Sequence, residues 1–382
     1  MTNPMLEQVY SLPVLITETV EPFDHAVRQA LDHELCLSLK RLYITGCGDS
    51  HHAAVGTEMA FEVLTGLPTR AMTALQYGRY AARLMPKTGP KTNAVFGISV
   101  SGEVSRTLEA LQQGRANGAI TVAVTATSGS RIYEAGDCVV LTATAPFAEP
   151  RGVHVPGVRS YLANQLALLL AALRIGEVRG HLTTAEANRL RAELAGLAQV
   201  VETTIQSADA PARQLAEEWV DAHEFVFAGA GPNYATAMFS AAKVLEASGD
   251  AAMAQETEEW THLQYFARIE STPTFLITNG EADRSRMIEM AVAARKLGRR
   301  TVAVAPASVK ELHRAVDRSL SYAEGMREMF SPLVACIPAE LFAAYRADVT
   351  GEPYFRDFQG GRSVENGDGI SRIRTSELLP LG

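Results

Sequence analysis

Arg41-Leu42-Tyr43-Ile44-Thr45-Gly46-Cys47-Gly48-Asp49-Ser50-His51-His52 decides the fold, because its design returns as Glu224-Phe225-Val226-Phe227-Ala228-Gly229-Ala230-Gly231. Each stretch is a short apolar run that ends in Gly-x-Gly and leads into a helical segment. Continuous rather than alternating apolar character favours a strand covered on both faces, hence a parallel sheet in an α/β fold. Around residues 41–45 the same reading predicts strands over 93–99, 120–125 and 138–142. Around 224–228 it predicts strands over 273–278, 300–305 and 319–322. The first strand after each Gly-x-Gly ends in a hydroxyl, Ser99 or Thr278, about 53 and 49 residues beyond the first glycine. Thr121-Val122-Ala123-Val124 then recurs as Thr301-Val302-Ala303-Val304, about 75 and 72 residues beyond it. Three landmarks at a nearly constant offset argue for a duplicated βα domain.

The length of 382 residues also suggests two domains. The reading divides the chain into a helical segment 1–37, a first domain 38–180, a connecting helix 181–212, a second domain 213–346 and an irregular tail 347–382. Residues 182–204 carry Leu and Val at helical spacing, with Thr183 or Thr184 as the N-cap. The net charge of −8, with no basic run, argues against nucleic acid or an anionic membrane as a partner. Cys36, Cys47, Cys138 and Cys336 are scattered without a CxxC pair, which points to a reducing cytoplasm and away from structural zinc. The N-terminus lacks the basic and apolar regions of a signal peptide. The apolar stretch 166–173 is too short to span a bilayer. A cytoplasmic location is the expectation.

A Gly-rich turn between strand and helix lets backbone N–H groups approach an anion, favoured by the helix N-terminus. A dinucleotide fingerprint needs a third glycine where this chain has His51 and Tyr234, and no acidic ribose partner closes the first unit, so NAD is disfavoured. The second loop, Ser99-Val100-Ser101-Gly102-Glu103-Val104-Ser105-Arg106, follows the next strand and opens a helix over 105–114. Ser99, Ser101 and Ser105 put three hydroxyls around one helix start, a cradle for a sugar oxygen or phosphate.

Strand–GxGxS–helix followed by strand–SxSGE–helix resembles the sugar isomerase (SIS) domain, and the tandem arrangement is similar to the isomerase half of glucosamine-6-phosphate synthase and its stand-alone relatives. Residues 5–20, with Leu12-Pro13, also resemble the leading helix of those proteins. The resemblance implies two tandem SIS domains, each a mostly parallel, flavodoxin-like sheet flanked by helices. It places substrate at Cys47, Gly48, Asp49, Ser50, Ser99, Ser101, Gly102, Glu103 and Ser105. It further implies a homodimer or higher homo-oligomer, a sugar or sugar phosphate as the small-molecule partner, and no cofactor or metal.

In the second repeat, Thr278-Asn279-Gly280-Glu281-Ala282-Asp283 carries acids in place of the serines and is not expected to hold an anion. Taken alone, Lys243 and Glu246, three apart on a predicted helix over 234–248, are a solvated pair. The resemblance gives them another role. Glu246 would move a proton between sugar carbons 1 and 2, Lys243 would meet the developing oxyanion, and His262 would assist ring opening, usually in a neighbouring subunit's site. Glu259, the first residue of Glu259-x-x-His262, would orient that imidazole. Aldose–ketose exchange needs these three functions, and the residue types suit them near neutral pH.

Departures matter as much. Asp49 stands where phosphate-binding relatives have a hydroxyl, Val100 where they have Gln and Val104 where they have Thr. No Lys follows Lys310, so the tail lacks the Schiff-base lysine of the synthases; Arg362 falls near its place and forms no imine. With no N-terminal Cys either, glutamine-dependent amination is not expected. Isomerisation, deamination or deglycation remain, beside a sugar-phosphate-binding regulator on the same fold.

Overall fold

The computed structural model describes residues 3–147, 153–359 and 371–381. Among the described residues, ten parallel strands form two five-stranded sheets. The first holds β1 (Arg41–Gly46), β2 (Thr69–Thr73), β3 (Asn93–Ile98), β4 (Ile120–Thr125) and β5 (Cys138–Leu141) in the order β2-β1-β3-β4-β5. The second holds β6 (Glu224–Gly229), β7 (Ala251–Glu256), β8 (Thr274–Ile277), β9 (Thr301–Pro306) and β10 (Arg318–Tyr322), ordered β7-β6-β8-β9-β10. Counted within its own sheet, each is the 2-1-3-4-5 doubly wound order. β1, β3, β4, β6 and β9 are the continuous apolar runs of the sequence, and each is buried along nearly its whole length.

β2 and β7 were not expected from sequence. Both are edge strands and only half covered. Thr69-Arg70-Ala71-Met72-Thr73 has one buried residue, and Ala251-Ala252-Met253-Ala254-Gln255-Glu256 has none. A strand shielded on one side needs no apolar run, and Ala, Met, Gln and Glu are helix formers by propensity. Pairing to β1 and β6 overrides that preference.

Two compact units emerge, and they interleave along the chain. The unit holding the first sheet comprises Leu15–Pro146, Ser160–Ala195 and Phe358–Gly382. The unit holding the second comprises Met1–Val14, Phe147–Arg159 and Gly196–Asp357. The N-terminal helix Pro4–Tyr10 thus belongs with the second sheet and the chain from Phe358 onward with the first, a division that linear boundaries at 37 and 347 do not capture.

Local devices recur in both units. In the first, the Thr121 N–H and hydroxyl both donate to Asp137, at 2.8 Å each, and Arg115 clamps the same carboxylate. In the second, the Thr301 N–H and hydroxyl donate to Asp317 at 2.9 Å each, clamped by Arg295. Each bracket ties the next-to-last strand of its sheet, β4 or β9, to the turn that leads into the last strand.

The connecting helix is longer than its apolar pattern, running Thr184–Glu218. It starts in a capping box: Thr183 Oγ1 accepts from the Glu186 N–H at 3.2 Å, and Glu186 Oε2 accepts from the Thr183 N–H at 2.9 Å. The apolar stretch 166–173 lies in a 20-residue helix, Arg159–Val178, which is long and apolar enough to cross a bilayer. Of its apolar window, 89% is buried inside the fold, which marks a core helix.

Candidate functional site

Strand order reverses where β1 has β2 on one side and β3 on the other, and in such sheets the crevice opens at the carboxyl ends of the strands. The glycine loop after β1 and the serine loop after β3 flank that point. At Gly46 an added Cβ would lie 2.6 Å from Ser50 Cβ, so only glycine lets the helix Asp49–Thr65 start this close to the strand. Gly48 then takes φ 54°, ψ −129° and caps that helix without a side-chain bond. The loop after β6 repeats the backbone: Gly229 would clash with Asn233, and Gly231 takes φ 53°, ψ −134° before the helix Pro232–Ala247.

Around the first crevice the polar groups are not all satisfied. Ser99 and Ser105 are buried, and among the described residues neither hydroxyl has a hydrogen-bond partner; Ser50, on the first loop, is buried as well. Ser101 Oγ accepts from the Glu103 N–H at 3.3 Å. Gly102 takes φ 68° with Ser130 against its Cα, where a Cβ would lie 1.8 Å from the Ser130 hydroxyl. Two helix N-termini, those of Asp49–Thr65 and Ser105–Ala116, therefore open here without side-chain caps. Their donors and dipoles suit an anionic or hydroxyl-rich ligand.

The charged groups are committed elsewhere. Glu103 pairs with Arg131 at 2.7 Å; burial works against its charge, but the Arg131 hydrogen bonds outweigh it and hold the carboxyl below its usual range. Arg106 does not act as a free cation for the loop. It binds Glu109, a buried carboxylate that also takes Arg79 in a fork at 2.9 and 3.1 Å. Glu109 was not anticipated, although Arg106 and Glu109 stand three apart on one helix. Burial raises the Cys47 thiol, whose sulfur lies 3.9 Å from the Thr107 hydroxyl. Asp49 and His52 face each other at 3.6 Å, and burial pushes His51 down to about 4, so it is neutral at pH 7.

In the second unit, Lys243 is not a solvated partner. It lies on the buried face of its helix with Thr236, Phe239, Ser240 and Ala247, and its side chain is fully buried. The ammonium donates to Glu246, which is 29% exposed, and sits 4.8 Å above the Phe239 ring. Glu256 ends β7 and caps the short helix Thr257–His262 by accepting the N–H groups of Glu258 and Glu259 at 2.7 and 3.1 Å.

His262 stands on that helix with its side chain 66% exposed. Its Nε2 lies 3.1 Å from Glu258, not Glu259, and the same carboxylate is gripped by Arg286. The i, i+4 spacing of Glu258 and His262 was the available signal. These groups line a cavity of about 400 Å³ with Tyr265, Phe266 and Met290. The loop after β8 is acidic as expected. Thr278 donates to Asp283, whose carboxyl is raised by burial and by Glu256. Arg362 lies outside the described residues. Among the described residues no group of three or more His, Cys, Asp or Glu is placed to hold a metal ion.

Residues 37–174 match the SIS domain family. The chain is 26% identical over 351 residues to the glutamine–fructose-6-phosphate aminotransferase of Gloeobacter violaceus, covering 90% of this chain and 55% of that protein. It is 27% identical over 315 residues to the Streptomyces coelicolor enzyme of the same name, covering 81% and 49%. The chain thus spans about half the length of these curated relatives. Among solved structures, it resembles the C-terminal domain of glucosamine-fructose-6-phosphate aminotransferase from Francisella tularensis, with a TM-score of 0.78 at 19% identity, covering 92% of this chain and 97% of that one. It also resembles glucosamine-6-phosphate deaminase from Thermotoga maritima, with a TM-score of 0.68 at 17% identity and coverage of 93% and 97%. At these identities the structural likeness speaks for the fold alone.

Proposed function

Starting from a chain whose residues 37–174 are a SIS domain, we propose that the second unit is another SIS domain and that the protein is a sugar isomerase acting on a phosphosugar or amino-sugar phosphate, without glutamine-dependent amination. The first unit binds through Cys47–Ser50 and the serine loop; Lys243, Glu246 and His262 of the second carry the proton chemistry. Glu246 takes the proton from one sugar carbon and returns it to its neighbour. Lys243 offers its ammonium to the oxygen that gains charge in the enediolate, and His262 shuttles the ring-opening proton.

One observation carries this reading. A lysine on the apolar face of a helix, wholly buried and held by a partly exposed carboxylate, costs desolvation that an apolar residue would avoid. Proton transfer explains why the pair is tolerated. An isomerising aminotransferase among the similar sequences and a deaminase among the similar folds act in the same chemical class.

The experiment is proton exchange in D₂O across hexose and amino-hexose phosphates. Wild type should exchange the C1 or C2 proton of its substrate, and Glu246→Gln should bind that sugar without exchange. Tight binding with no exchange in wild type would replace this reading with that of a sugar-phosphate-binding regulator. The exposure of His262 supports its acting in a neighbouring subunit's site, as part of a homodimer. Mixing His262→Ala with Glu246→Gln chains should then restore part of the exchange that each has lost.

A further inference from the structure

Residues 371–381 return to the first unit and lie along the helix that the serine loop opens. The Ile373 carbonyl accepts from the Ser105 N–H at 2.8 Å, and the Arg374 carbonyl accepts from Arg131 at 2.6 Å. Arg106 donates to the Ser376 hydroxyl at 3.1 Å and to the Glu377 carbonyl. Farther along, the Leu379 N–H donates to Glu109, the Gln113 amide reaches the Leu379 carbonyl at 3.2 Å, and Leu378 packs against the cluster of Tyr77, Leu108 and Leu111. The segment has an anchor, Leu378–Leu379, and a latch, Ile373–Glu377, and the latch lies at the serine loop.

The Ser105 contact is the informative one. That N–H is the first donor of a helix with no side-chain cap, and a backbone carbonyl, a partial negative charge, fills it. On the same loop the fully buried Ser105 hydroxyl and the 2% exposed Ser99 hydroxyl have no partner among the described residues. A buried hydroxyl left unpaired is costly, so the loop is built to accept more than the latch supplies. Arg106 and Arg131 each keep a carboxylate partner and spend a further N–H on the latch.

We propose that residues 371–377 are a strap that competes with an anionic ligand for the serine loop. The proposal rests on reading that loop as the ligand loop. Ligand and strap cannot both occupy the Ser105 N–H. Release of the strap returns that N–H and one donor each from Arg106 and Arg131, which is why the favoured ligand is an anion such as a phosphate group. The anchor at Leu378–Leu379, held by the apolar cluster and by Glu109, keeps the released strap tethered for return.

The test uses the full chain with inorganic phosphate and glucosamine 6-phosphate as probes. Trypsin cleavage after Arg374, followed by mass spectrometry, reports the latch. In wild type, saturating probe should speed that cleavage. Leu378→Asp, which unseats the anchor without touching the loop, should speed it without probe. The same variant should tighten the apparent Kd about tenfold, as expected when roughly one molecule in ten is unlatched at rest. Probe that slows the cleavage, or weaker binding by Leu378→Asp, would show a strap that closes over ligand and would overturn competition. Should Leu378→Asp fail to fold, the wild-type cleavage assay decides by itself. Binding of neither probe by wild type or by an unlatched, folded Leu378→Asp would refute the ligand loop and the strap together. Binding with a protected strap would refute only the strap.

Discussion

Lys243→Met separates the stability of the second unit from its proposed chemistry. The lysine side chain is fully buried, paired to a carboxylate that is 29% exposed and stacked over Phe239. Withdrawing an ammonium from water costs several kcal/mol, and a pair with a carboxylate that stays partly in solvent returns only part of it. Methionine has a similar length and shape, no charge, and suits contact with an aromatic ring. Its substitution should therefore leave stability unchanged or raise it, by up to about 4 kcal/mol at the top of the range for buried pairs replaced by apolar groups. Glu246→Gln acts in the opposite direction. It puts an amide in place of the Glu246 carboxylate beside the buried ammonium, a change that costs about 3 kcal/mol. Urea unfolding followed by tryptophan fluorescence is the appropriate assay, because both tryptophans of the chain, Trp219 and Trp260, are buried in the second unit. The exchange assay on the same samples should find both variants inactive. A Lys243→Met chain that loses more than about 2 kcal/mol while Glu246→Gln is neutral would refute the reasoning. Lys243 would then be a structural clamp, and the observation that carries the proposed function would be lost.

Gly102→Ala should cost about 3 kcal/mol and abolish sugar-phosphate thermal shifts, since the residue has φ 68° and its new methyl would collide with the Ser130 hydroxyl; a wild-type melting curve would contradict this. Thr183→Ala removes one half of the capping box and should lower stability by about 1 kcal/mol in urea, with no effect on ligand binding. Asp283→Asn should raise the melting temperature near pH 8 and converge with wild type in acid. Burial, then Glu256, raises the Asp283 carboxyl against the opposing Thr278 hydrogen bond, so the folded chain holds that proton more tightly than the unfolded chain. The stability it contributes is present at low pH and lost as pH rises through the folded pKa, which leaves an ionised carboxylate that asparagine avoids. A gap between the two melting curves that widens towards acid would reverse that assignment.

The sequence was most legible where burial is two-sided. β1, β3, β4, β6 and β9 needed continuous apolar runs, and those runs predicted them within a residue or so at either end. The edge strands β2 and β7 are defined by one neighbour, and nothing local distinguishes Ala251-Ala252-Met253-Ala254 from a helix. Charges were the least legible. Lys243 and Glu246 have the spacing of an ordinary surface pair, and only the packed helix shows that one of them faces inward. Arg106 is committed to Glu109, three residues on, and to the Ser376 hydroxyl and Glu377 carbonyl, and no spacing in the sequence announces those last two partners. Glu258 rather than Glu259 meets His262 because a helix aligns residues four apart as readily as three.

The two glycine loops sharpen the division between the units. Gly48 and Gly231 differ by 1° in φ and 5° in ψ, so backbone geometry cannot explain any difference in what the loops do. The difference lies in the loop that follows the third strand of each sheet. After β3 it carries Ser99, Ser101 and Ser105, with buried hydroxyls that have bonding capacity to spare. After β8 it carries Thr278, already spent on Asp283, with Glu281 and Glu328 close enough to oppose further negative charge. The same backbone cradle is thus left receptive to anions in one unit and made repellent in the other. In a chain of net charge −8, attraction of an anion cannot come from the overall field. It must come from two uncapped helix ends and from guanidinium donors that the strap at Ile373–Glu377 holds or releases. Ligand affinity in the first unit should therefore depend more on the state of that strap than on ionic strength.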